Sequence, residues 1–351
     1  MIRIGVPKEV KDQENRVGMR PCDVSEILNF AHESKLDIEI LVESNAGYGS
    51  GYLNEAYDDA GAIIAGPIKV WDSDIVVKVK EPQKEEWSYL DSQIVYGYLH
   101  ASSVHNKELL ANSKNVCYVA YEEQTSVNLL APMSAIAGRL AVQKGAQCLE
   151  GVHGKLLGGI PGTAPAKVVI IGAGVVGSNA MQMAIGMGAD VSILDIDMKK
   201  LADLDQKYGN RVKTLMSNNA NVSTELSNAD LVIGAVLLPG KAAPKIIKEE
   251  HVKSMKQGSC IVDVAIDEGG CCETSIPTSH TKPTYERHGV THYCVPNIPA
   301  LVPVTSTNAL CQETVEHLKK VIKNIEGVKG TVGIKGRPRN WLNDIDCFSP
   351  R

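Results

Sequence analysis

The sequence predicts an α/β protein of two domains, each built on a parallel sheet, and three observations lead there. The first is residues 167–197, KVVIIGAGVVGSNAMQMAIGMGADVSILDID, which read strand, glycine turn, helix, strand and close on acids. The second is a series of short β-rich runs in the first part of the chain, separated by polar or helical stretches. The third is size, since 351 residues leave room for two domains with cores of their own.

Taken in order, IRIGV is a β-branched strand and PCDVSEILNFAHES a helix behind it. IEILV, DIVVKV, QIVYGYL and VCYVAY continue the alternation that parallel strands with crossover helices produce. Residues 129–151, LLAPMSAIAGRLAVQKGAQCLEG, form a long amphipathic helix, read as the bridge into the second domain. Gly-Gly-Ile-Pro-Gly at 158–162 is a turn cluster just ahead of the strand KVVII. The second domain then runs through VSIL, ADLVIGAV, a helix over 244–255, SCIVDVAI and HYCVPN. Residues 305–324 read as a helix that returns to the first domain. The expected division is therefore 1–128 with 303–351, interrupted by 129–302. The tail from 327 is Gly/Pro-rich and polar and gives no pattern; no internal repeat is evident.

Gly172, Gly174 and Gly177 stand at GxGxxG spacing. The first can make the tight turn, the second leaves room for a pyrophosphate against the backbone, and the third lets helix and strand pack closely. Asp195 ends the next strand, 18 residues past Gly177, where a carboxylate can accept from the adenosine ribose hydroxyls and repel a 2′-phosphate. Spacing of this kind alone is weak. With both strands, the helix and the acid present it points to a dinucleotide, with NAD favoured and NADP kept as the alternative by Lys199 and Lys200.

Composition excludes several classes. Hydrophobic residues make up 44% and charged residues 22%, with net charge −5, which is ordinary globular composition without a basic run for nucleic acid. No apolar stretch is long enough to span a bilayer, and MIRIGVPKEV has no signal-peptide pattern, so the cytosol is the expected compartment. The nine cysteines are scattered, without a CxxC pair, and are read as reduced and mostly buried; no metal is assigned.

IGVPKE with ENRVGMRP, then DIVVKVKEP, LHAS, LAPMSAIAGRLA and VDVAIDEGG, resemble the bacterial L-alanine dehydrogenase family in order and spacing over roughly residues 1–325. The resemblance implies two Rossmann-like domains flanking a central cleft, assembled as a homohexamer. It implies reversible NAD-dependent conversion of L-alanine to pyruvate and ammonia. On matching motifs it places Arg16 (ENRVGM) and Lys80 (KVKEP) on the substrate carboxylate and carbonyl oxygen, and His100 (YLHA) and Asp267 (AIDEGG) in acid/base roles. Met133 and Ser134 (APMS) and Asn297 (VPNIPA) match positions lining the cleft or the nicotinamide site.

Each assignment has a plainer competitor. Arg16 suits a carboxylate because a guanidinium offers two parallel hydrogen bonds, yet an arginine in a loop is most often a surface residue. Lys80 closes an apolar strand, but alternation puts Lys78 on the same face, so pattern alone does not choose between them. A histidine at a strand end can exchange protons near neutral pH, or be structural, and His105 is read as a surface residue. Asp267 could orient a catalytic water or simply start the glycine turn; Asp263, inside its strand, is read as structural.

The chain departs from the family pattern in Gly18-Met19-Arg20, which adds a charge near the pocket. It departs again in Ala135, where an acid is usual, and in the tail. Two relatives of the pattern are weighed. The NAD-binding component of membrane transhydrogenase typically carries an Arg-Gln-Asp loop that is not found here. Opine-type and saccharopine reductases match the strings less well. An inactive NAD sensor is disfavoured because all four site residues are retained.

Overall fold

A computed structural model describes residues 1–99, 104–113, 115–123, 129–236 and 242–327. Two compact units result, Met1–Met133 with the chain from Ala300 onward, and Ser134–Pro299.

The first unit contains strands β1 (Ile2–Val6), β2 (Ile38–Glu43), β3 (Ile63–Ala65), β4 (Ile75–Lys80), β5 (Ile94–Tyr98) and β6 (Cys117–Ala120). All pair in parallel, in the order β3-β2-β1-β4-β5-β6. Helices α1 (Pro21–Glu33), α2 (Asn54–Asp59), α3 (Pro67–Trp71) and α4 (Val104–Asn112) lie in the connections. β4 is buried at every residue, as befits a central parallel strand covered on both faces. Trp71, Val76, Val95, Leu99, Leu109, Val116 and Tyr118 pack into one core cluster of this unit.

Helix α5 (Ala131–Cys148) opens at the end of the first unit and continues into the second. The second unit holds β7 (Lys167–Ile171), α6 (Val175–Gly186), β8 (Asp190–Asp195), α7 (Met198–Tyr208), β9 (Lys213–Met216), α8 (Asn219–Ser227), β10 (Leu231–Gly234), α9 (Glu249–Ser254), β11 (Cys260–Asp263), β12 (Thr284–Arg287) and β13 (Val290–Tyr293). Its sheet runs β12-β13-β11-β10-β7-β8-β9, parallel except for β12, which pairs antiparallel with β13. Val168, Val169, Ile170 and Ile171 of β7 are fully buried, each worth about 1.5–3 kcal/mol against leaving it exposed. Helix α10 (Pro303–Gly327) returns the chain to the first unit.

The fold class expected from the sequence, two α/β domains on parallel sheets, is the one observed. Both sheets change winding direction beside their first strand, between β1 and β4 and between β7 and β10, and such switch points are where open α/β sheets leave a crevice. Differences are local. The helix expected over 244–255 is confined to Glu249–Ser254, because the backbone before it is engaged elsewhere. Ile247 N–H donates to Cys271 O, and Glu273 N–H to Ile247 O, making a strand-like bridge that helical geometry would break. β3, β9 and β12, of three, four and four residues, lie outside the strands expected from the sequence.

Candidate active site

The glycine turn follows β7, and each glycine meets a different constraint. Gly172 has φ +106, and a Cβ there would lie 2.5 Å from Ala235 O. A Cβ on Gly177 would lie 1.8 Å from Gly172 O, so this position sets how closely α6 meets the turn. Around Gly174 a Cβ would meet nothing within 4 Å, and Gly174 is the N-cap of α6. The open space therefore lies at the helix N-terminus, where unsatisfied N–H groups and the helix dipole favour a phosphate. Asp195, nearly buried at the end of β8, accepts from Ala173 N–H at 2.6 Å and from Asp197 N–H at 2.9 Å. Its carboxylate thus braces the glycine turn from the strand end where the sequence led to the expectation of a ribose contact. Asp197 caps α7 by accepting from the backbone of Lys199 and Lys200.

Asp267 lies exposed in a 3₁₀ turn (Val264–Glu268) that ends on left-handed Gly269. Asn297 N–H points at it, 3.3 and 3.5 Å from the two carboxylate oxygens. Asn297 itself is left-handed (φ +56), a conformation asparagine tolerates better than most residues. Two of the expected site residues, 30 positions apart, are thus brought together. Burial and the neighbouring Asp267 charge raise the Glu268 carboxyl above its ordinary range. Asp263, expected to be structural, is fully buried and accepts from Ala265 N–H, Cys271 N–H, Cys272 N–H and the Ser275 hydroxyl, gripping both ends of the Asp267 turn.

In the first unit, Arg16 is only 1% exposed, against the surface-loop alternative. Nε and Nη2 donate to Glu14 at 2.7 and 2.5 Å, and Nη1 donates to Met133 Sδ at 3.2 Å. Arg16 and Met133, far apart in sequence, therefore meet. Beside Arg16 lies a cavity of about 380 Å³ lined by Lys8, Glu9, Glu14, Asn15, Arg16, Asn45, Ala46, Tyr48 and Gly49.

The two lysines of β4 have different surroundings. Lys78 is fully buried, 2.7 Å from Glu86 and 3.3 Å from Glu9, and is committed to those carboxylates. Lys80 lies over the Tyr98 ring at 5.6 Å. The pairing with β5 shifts register between Val77 and Lys80, a departure from the regular alternation that puts both lysines on one face. Tyr98 is buried, donates to Leu129 O at 2.8 Å, and has its phenol raised by burial against the lowering charge of Arg16. Tyr98 thus joins the Arg16 and Lys80 neighbourhoods. It and Glu14 were missed in the sequence, although Glu14 stands two residues before Arg16 in ENR.

Arg20 is not a spare charge at the pocket. It caps α1 through Asp23, with contacts of 2.9 and 2.6 Å, and donates to Asn308 of α10 at 3.2 Å. Ser134 is half-buried in the first turns of α5, and Ala135 follows it on the same helix. His100, the side chain of His105 and the tail beyond Gly327 lie outside the described residues. Six of the eight described cysteines are buried, and all eight are free thiols.

A glycine turn opening onto a helix N-terminus, with an acid closing the next strand of a doubly wound sheet, defines a dinucleotide-binding α/β protein. Residues 5–137 match Alanine dehydrogenase/PNT, N-terminal domain, and residues 141–333 match Alanine dehydrogenase/PNT, C-terminal domain, so the chain belongs to the alanine dehydrogenase/PNT family. It is 49% identical to alanine dehydrogenase of Bacillus subtilis (strain 168) over 327 residues, 91% of this chain and 85% of the relative. It is 44% identical to alanine dehydrogenase 2 of Staphylococcus aureus (strain USA300) over 90% of this chain and 86% of that one. A solved L-alanine dehydrogenase superposes with TM-score 0.85 at 42% identity, covering 98% of this chain and 99% of the other. A transhydrogenase from Sinorhizobium meliloti, at 24% identity and TM-score 0.79 over 95% and 98% of the two chains, shares the fold.

Proposed function

We propose that this chain catalyses the reversible NAD-dependent oxidative deamination of L-alanine to pyruvate and ammonia. The observation that carries the reading is Arg16, a buried guanidinium set beside Met133 at the wall of a cavity. A buried cation at a cavity wall suits a small carboxylate substrate, and the named relatives act in keeping with that chemistry.

Open space at Gly174 and the acid at Asp195 fit a dinucleotide, held with Gly172, Gly177, Ser134 and Asn297 around it. When bound, NAD⁺ accepts the hydride from the substrate Cα. Arg16 and Lys80 hold the substrate carboxylate and its carbonyl oxygen, so the reacting carbon is presented in one orientation. Met133 accepts from the guanidinium through its sulfur and so helps fix its orientation. His100 and Asp267 move the protons as water adds to the imine and ammonia departs. The aspartate is the group aimed at by Asn297 N–H. We place the protein in the cytosol as a homo-oligomer, a hexamer by family likeness; sedimentation of the purified chain checks the assembly.

The test is NADH formation from NAD⁺ and L-alanine at alkaline pH, with L-ornithine plus pyruvate as a parallel NADH-consuming assay. Turnover of alanine alone supports the dehydrogenase. Silence with alanine, in protein that binds NADH, would refute it and favour the transhydrogenase component, whereas turnover only with ornithine and pyruvate would favour an opine-type reductase. His100→Ala with near-normal turnover would remove that residue from the chemistry.

A further inference from the structure

The Glu14 carboxylate has no side-chain exposure, and both its oxygens are used on one partner. Oε1 accepts from Arg16 Nε at 2.7 Å and from Arg16 backbone N–H at 3.1 Å, and Oε2 accepts from Nη2 at 2.5 Å. A planar carboxylate gripping one edge of a planar guanidinium fixes the plane as well as the charge. The loop around the pair has independent anchors. Glu14 N–H donates to Lys11 O, Asn15 O accepts from Ser50 Oγ, and Val17 N–H donates to Thr307 Oγ1. The chain path through ENRV therefore has supports besides the Glu14 side chain, which bonds the backbone at Arg16 N–H. What depends on it is where the guanidinium points.

We infer that Glu14 is a positioning residue for the substrate carboxylate, acting through Arg16: it orients the guanidinium and supplies its resident counter-charge. The inference rests on the reading of Arg16 as the carboxylate anchor. It gives the site a definite design. A guanidinium this deeply buried would be costly without an anion, and with one fixed in place it cannot swing to follow a misplaced ligand. The anchor already carries a counter-charge before substrate arrives. Selection of the substrate then comes from geometry and from Lys80 more than from bare charge.

Glu14→Gln separates orientation from packing. The amide fills the same volume and keeps one acceptor, but its NH₂ faces a guanidinium N–H and cannot accept from it. Glu14→Ala leaves a gap beside the cavity, into which a small carboxylate such as formate fits. Pyruvate binding to the NADH-loaded full-length protein is measured by calorimetry, with KM and kcat for L-alanine measured alongside. Both variants are expected to weaken pyruvate on the order of 10- to 100-fold and to raise KM for alanine similarly, with kcat at saturation largely retained. Formate should restore pyruvate binding in Glu14→Ala while giving no gain in the unsubstituted protein. Wild-type affinity in Glu14→Gln would overturn the inference, and so would a weakened Glu14→Ala that formate does not restore. Should Glu14→Ala fail to fold, the Gln variant decides alone. Failure of the unsubstituted protein to bind pyruvate would instead overturn the reading of Arg16 itself.

Discussion

Glu9 offers a stability test whose sign follows from the geometry around it. Its carboxyl is buried against Lys78, Glu86 and Glu14, with Val79 N–H donating to Oε1 at 2.7 Å. One cation serves two carboxylates: Lys78 sits 2.7 Å from Glu86 but 3.3 Å from Glu9. Glu86 takes the larger share of the charge and Lys78 stays protonated, leaving Glu9 as the weaker-held anion. Burial, opposed by Lys78 and aided by Glu86 and Glu14, raises the Glu9 carboxyl from 4.5 to about 7. The folded state therefore binds this proton more tightly than the unfolded chain does. The resulting stability is fully present below the unfolded value and is lost as pH rises through about 7. At ~1.4 kcal/mol for each pH unit of displacement, the full contribution is ~3 kcal/mol. Glu9→Gln mimics the protonated carboxyl, still accepts from Val79, and cannot ionise. Urea unfolding of both proteins, followed through Trp71 and Trp87 of the first unit, should show the variant gaining on the wild type by up to ~3 kcal/mol between about pH 4.5 and about pH 8. Parallel pH profiles for the two proteins would refute the reasoning.

The glycine turn predicts a contrast. Gly177→Ala should lower the melting temperature, because its methyl would overlap Gly172 O and cost at least ~1–3 kcal/mol, whereas Gly174→Ala should melt normally and bind NADH at least about tenfold more weakly by calorimetry. Lys78→Met should destabilise by about 3–5 kcal/mol in urea, since Glu9 and Glu86 lose their shared cation, while Lys80→Met should leave most of the stability and raise KM for pyruvate. Asp195→Ser should shift the ratio of NADPH to NADH affinity toward NADPH, as the carboxylate that repels a 2′-phosphate is removed; fluorescence titration with both cofactors reads this.

Local backbone demands were legible in the sequence, and distant side-chain partnerships were not. The three glycines could be assigned separate roles because each role is a property of the turn they share, and Gly172, Gly174 and Gly177 meet three distinct surroundings. Family strings located Arg16 and Met133, which meet in the fold. Nothing in the string KVK could separate Lys78 from Lys80, because the difference lies in Glu9 and Glu86, supplied by other segments, and in a register shift beside β5. Arg20 looked like a charge added to the pocket, but Asp23, three residues on, and Asn308, on the last described helix, draw it into a helix cap. The shortened helix before Ser254 fails by the same logic, since the bridge from Ile247 to Cys272 outcompetes a locally helical pattern.

The return of the chain through α10 has a consequence for biosynthesis. The six strands of the first unit are complete at Ala120, yet the helix that covers them ends only at Gly327. Val17, Ser50, Tyr52 and Tyr96 find partners on that helix, in Thr307, Asn308 and His317. At ribosomal speeds of ~5–20 residues per second, the sheet waits on the order of 10–40 s for its cover. The intervening segment is continuous and can fold during that wait. A nascent chain thus carries a finished nucleotide half beside an unroofed partner, and that interval is when a chaperone would find apolar surface to hold.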